Sequence, residues 1–82
     1  MDPDQTLREL LEALQERRWN DIEAYAKDLL LWLRKGGFPP QTLGPKELGR
    51  KWHRAVAEFV CFAAQSKVRE WRFRRMKKRG AT

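Results

Sequence analysis

After Pro45 the chain carries no further proline and only one glycine, Gly49, until Gly80 closes the run. An uninterrupted stretch of that length predicts one long helix, and the rest of the fold has to be arranged around it. Gly44-Pro45 supplies the start signal, with proline at the first helical position, where its missing N–H costs nothing. Leu48, Trp52, Ala55, Val56, Phe59 and Ala63 recur at three- and four-residue spacing, which predicts a buried stripe. Between Ala55 and Ala64 the only charge is Glu58. That segment is apolar nearly all the way round, and such a helix needs neighbours on several sides. From Lys67 the character changes to KVREWRFRRMKKR, basic with aromatics set into it.

Two shorter helices precede it. Asp2 reads as an N-cap, with Pro3 at the first helical position and Gln5 completing a capping box. Leu7, Leu10, Leu11 and Leu14 then form one apolar stripe, predicting a helix over about 3–17 that ends on Arg17 and Arg18. Asn20 is placed to cap a second helix over about 21–35, with Glu23 closing another capping box. Its stripe is Ile22, Tyr25, Ala26, Leu29, Leu30 and Leu33, and Gly36 stands where a terminating glycine belongs. So short a connection predicts an antiparallel hairpin. Trp19 is expected to staple onto Ala24 or to cover the hairpin end. The pair is similar to one tetratricopeptide unit in length, but no second copy follows and most signature positions differ.

Leu31 and Trp32 do not fit the second stripe. Leu31 projects about 180° from Ile22, so with Trp32 on the flank it points to a second contact surface. The connection from Gly36 to Gly44 holds Pro39 and Pro40, which predict a stiff, extended loop with Phe38 and Leu43 folded back as plugs. Its glycine pair is not a phosphate loop, because the G-x-x-x-x-G-K-[ST] pattern is absent.

With 82 residues there is room for one small core. The expected fold is all-α, a short antiparallel hairpin packed on a long C-terminal third helix. Residues 1–66 form the three-helix core, with the third helix over 45–66, and 67–82 a basic extension. The lone Cys61 rules out an internal disulfide framework and suits a reducing compartment. The acidic start MDPDQ lacks a leader's apolar stretch, and residues 29–33 and 59–64 are too short to span a bilayer. A soluble, cytoplasmic chain is expected.

Residues able to do chemistry are few. His53 and Cys61 lie eight positions apart, about 12 Å along a helix, too far to share a metal or to act as nucleophile and base. His53 is expected on a flank, and Cys61 as a small core or interface residue. No enzyme activity, metal or cofactor is expected.

Charge is polarised. Residues 1–33 carry eight acids and four bases, residues 34–66 two acids and six bases, and residues 67–82 one acid and eight bases. The leading expectation is therefore a small accessory protein that binds RNA or single-stranded DNA non-specifically. Lys67, Arg69, Arg72, Arg74, Arg75, Lys77, Lys78 and Arg79 would neutralise phosphates, and Trp71 would stack on bases. The alternative is a self-assembling structural or adaptor module. A hairpin cannot cover a helix twice its length, so a homo-oligomer, dimer or higher, is expected, with Leu31, Trp32, Phe59, Val60 and Phe62 at its interface. A different protein partner would satisfy the same surface.

Overall fold

A computed structural model describes the backbone of residues 1–80 and the side chains of residues 1–76. It contains three helices: α1 (Pro3–Glu16), α2 (Trp19–Arg34) and α3 (Arg50–Gly80), with a 3-10 turn at Lys46–Leu48 before the last. The α1–α2 hairpin packs on the long third helix, and α2 is the element in contact with both others. The expected all-α architecture is the observed one.

Asp2 caps α1, its Oδ1 accepting from the N–H groups of Asp4 and Gln5 at 3.1 and 3.3 Å. Gln5 does not return the bond; its amide donates to Glu9 Oε1 at 3.0 Å, one turn further on. The helix stops at Glu16 because Arg17 adopts a φ of 55°. The N–H groups of Arg17 and Arg18 then bond back to the carbonyls of Leu14 and Ala13. This closure normally uses glycine, and it holds a β-carbon in the left-handed region. It also turns the chain directly into α2 at Trp19, two residues before the expected start. Asn20 therefore falls inside the first turn, and the anticipated cap and its Glu23 partner do not form. Arg18 instead bridges Glu16 and Asp21 at 3.0 and 2.8 Å. The other end of α2 follows expectation. Gly36, at a φ of 88°, lets the N–H groups of Gly36 and Gly37 reach the carbonyls of Leu33 and Trp32.

Leu7, Leu10 and Ala13 of α1 meet Ile22, Ala26, Leu29, Leu30 and Leu33 of α2 in the core. Leu10, Ile22, Leu29 and Leu33 are fully buried, each contributing about 1.5–3 kcal/mol. The third helix differs from its expected form in three respects. It begins at Arg50 rather than Pro45, because Pro45 leads into the 3-10 turn and Gly49, at a φ of 96°, breaks the path between them. Its buried residues are His53, Ala57, Cys61, Ala64 and Val68, whereas Leu48, Trp52, Ala55, Phe59 and Ala63 are exposed. Small side chains let α3 lie close against the hairpin, and the large ones are turned away. The packed part also runs past residue 66, to Val68 and Trp71.

Trp71 stacks on Trp19 and Arg72 pairs with Glu23, so α3 runs antiparallel to α2 and its last turns continue beyond the turn that joins α1 to α2. The molecule is accordingly elongated, 53 × 23 × 18 Å. Among the described residues no helix is long and apolar enough to cross a membrane.

The connection is pinned rather than loose. Pro40 is the buried plug, whereas Phe38 and Leu43 are exposed, contrary to expectation. Gln41 N–H donates to Asp4 Oδ1 at 2.7 Å and Trp32 Nε1 to the Phe38 carbonyl at 2.8 Å. With two prolines already fixing φ, these bonds leave the loop few alternatives.

Candidate interaction surface

The sequence places Trp52, Phe59, Ser66 and Phe73 seven residues apart, and Ala55, Phe62, Arg69 and Met76 three residues after each. On a helix this is a seam of a and d positions, six of the eight apolar. Phe59 lies about 180° around the helix from the mean direction of His53, Ala57, Cys61, Ala64 and Val68. The seam is therefore the face turned away from the hairpin. Phe59 is 71% exposed, Phe73 64% and Met76 72%, while Trp52 and Phe62 are each a little under half exposed.

Local structure holds the upper end of this face in place. Trp52 Nε1 donates to the Leu43 carbonyl at 2.7 Å, which fixes the indole against the connection. Its neighbour His53 is not a flank residue as expected but is buried. Its Nδ1 accepts from the Thr42 N–H at 3.0 Å, so the proton sits on Nε2, which donates to the Pro45 carbonyl at 3.1 Å. Thr42 Oγ1 completes the contact at 2.7 Å from Nδ1. His53 thus clasps the connection to α3. Cys61 points into the core, where burial first, and the Glu58 charge second, push its thiol up to about 11.

The basic segment is less open than its composition suggests. Trp71 lies 5.2 Å from Trp19 with an interplanar angle of 16°, and the Arg75 guanidinium sits over the same ring at 4.9 Å. Arg72 is paired with Glu23 on α2. Glu70 takes Arg74 at 2.7 Å and Lys67 at 3.6 Å. Arg69 donates to Ser66 Oγ at 3.3 Å. The side chains of Lys77, Lys78 and Arg79 lie outside the described residues. Among the described residues, Arg69 and Arg75 pair with no carboxylate, and both are exposed.

The expected oligomer-interface residues separate into two sets. Phe59 and Phe62 are on the seam. Val60 is partly buried against the intramolecular core. Trp32 is half-buried, with Phe38 edge-on at 5.6 Å, and so serves the connection. Leu31 is exposed on the far side of α2, beside Met1, Asp28 and Lys35, and no residue of α3 lines that depression. Trp52, Ala55, Ser66, Arg69, Phe73 and Met76 complete the seam. The seven-residue spacing was their signal, hidden because Trp52 and Phe59 also match the three–four spacing of a core stripe.

Among the described residues no three His, Cys, Asp or Glu side chains are grouped to hold a metal ion. No protein-family model matches the chain, and no curated protein or solved structure matches it significantly.

Proposed function

We propose that this chain is a small assembly module that works by packing another helix along the outer face of α3. The observation that carries this reading is the exposed seam Trp52–Phe59–Phe62, taken up again at Phe73 and Met76 beyond Ser66 and Arg69, on the side of α3 opposite the face that binds the hairpin. A monomer rarely leaves an apolar surface of that extent in water without a use for it. At about 25 cal/mol per Å², covering three phenylalanines and a tryptophan is a large term beside the stability of so small a domain. The seam rests on a rigid helix, fixed at its upper end by the His53 and Trp52 hydrogen bonds, so little ordering is required on association.

The test is Phe59→Glu combined with Phe62→Glu. Both side chains are outside the intramolecular core, so helicity by circular dichroism should hold. Light scattering at micromolar concentration should show an associated parent and a single-chain variant. An unassociated parent contradicts the proposal.

The second reading, non-specific binding of single-stranded nucleic acid by residues 67–79, is favoured by the exposed Arg69 and Arg75, which have no carboxylate partner among the described residues, and by the excess of bases there. On this reading the phosphate contacts carry the affinity and make it fall steeply with salt. Base stacking on Trp71 contributes little, because Trp19 and Arg75 already lie over that ring.

A further inference from the structure

The seam also has a charge and size pattern that selects its occupant. We infer that the occupant is a second copy of this chain, running antiparallel, in the register that places Phe59 opposite the partner's Phe62. This rests on the assembly reading above and specifies its partner and geometry.

Orientation follows from charge. Residues 67–82 carry eight bases and one acid, against six and two for residues 34–66. A parallel pair would lay the two strongly basic ends side by side, where like charges repel. An antiparallel pair sends them to opposite ends of the dimer.

Register follows from size and chemistry. In an antiparallel pair each a position faces a d position of the other helix. With Phe59 facing Phe62, the two-fold axis generates the same contact twice at the centre, as an isologous interface requires. The next layers outward set Ala55 against Ser66, small against small. Beyond them Arg69 meets Trp52, whose indole is already fixed by its bond to Leu43, giving a cation over an aromatic face. Past the start of the partner's α3, Phe73 lies towards the partner's 3-10 turn, where Leu48 is also exposed. Sliding one chain by one heptad towards the C-terminus would instead set Ser66 against Phe62 and Arg69 against Phe59, a polar side chain against each central ring, and bring the two basic ends closer together.

The area is adequate. Taking about 150–250 Å² per aromatic ring, the exposed parts of Trp52, Phe59, Phe62 and Phe73 offer roughly 450 Å² per chain. Flanking alanines, polar stems and Leu48 bring this to the low end of the standard interface class, about 600 Å² per partner.

The experiment uses the full chain with Ala55→Cys and, separately, Ser66→Cys, both at exposed sites. Cys61 stays in place, since it is buried and its thiol is held protonated. The two variants are mixed and oxidised with copper–phenanthroline, and covalent dimers are resolved by non-reducing electrophoresis. The expected result is a cross-link joining the thiol introduced by Ala55→Cys in one chain to that introduced by Ser66→Cys in the other, located by mass spectrometry of the linked peptides. Each variant oxidised alone should give none, because equivalent positions lie about 16 Å apart along the axis, beyond disulfide reach. Same-residue dimers in place of the mixed one mean parallel packing and overturn the orientation, while the assembly reading stands. A single-chain mass for the unmodified protein overturns both.

Discussion

Trp71 is the residue on which the two functional readings divide. A tryptophan amid arginines suggests a platform for an unpaired base. Here the ring stacks on Trp19 and carries the Arg75 guanidinium over it, tying the far end of α3 to the start of α2. Its loss should therefore be felt in stability. Trp71→Ala is expected to lower the unfolding free energy by about 1–3 kcal/mol, the cost of a partly buried ring and its stacking partner. Thermal and urea melts measure it. An unchanged melt, together with weaker anisotropy of a labelled single-stranded RNA, would instead make Trp71 a base-stacking residue and favour the nucleic-acid reading. At this scale the sequence was legible for composition but not for contacts. Nothing in the spacing of Trp19 and Trp71 tells that they meet, since they are brought together only by the antiparallel return of α3.

Among the elements, α1 and α2 were readable because leucines mark one face and charges the other. Their caps were read less well. The left-handed Arg17 carries no glycine to announce it, and it moved the start of α2 past the better capping residue, Asn20. In α3 both faces are apolar, and periodicity alone cannot say which one meets the hairpin. The larger residues drew the expectation to the wrong side, whereas Ala57, Cys61 and Ala64 give the weaker signal and the closer packing. The connection shows how tightly an irregular element can be specified. A β-carbon built on Gly37 would overlap the Trp32 ring, which is held by its own bond to Phe38. Gly37→Ala should therefore displace Trp32 and cost about 1–3 kcal/mol as an overpacked site. A denaturation midpoint equal to the parent's would mean that Trp32 is free to move and that the connection is not pinned as described.

For the whole molecule, two properties oppose each other. The chain carries a net charge of +7, so two copies repel at long range. The outer face of α3 offers apolar surface whose burial salt does not screen. Raising the ionic strength from about 0.1 to 1 M shortens the screening length from about 10 to 3 Å, removing most of the repulsion and none of the apolar term. Association driven by the seam must then hold or tighten with salt, whereas association through charge must weaken. Sedimentation equilibrium of the unmodified chain, over a micromolar concentration series at both salt levels, separates these directly. The expected result is a species of twice the 9.8 kDa chain mass, with a dissociation constant unchanged or lower at high salt. A 9.8 kDa species throughout, or a dimer that falls apart as salt rises, would contradict the assignment of α3's outer face as the binding surface.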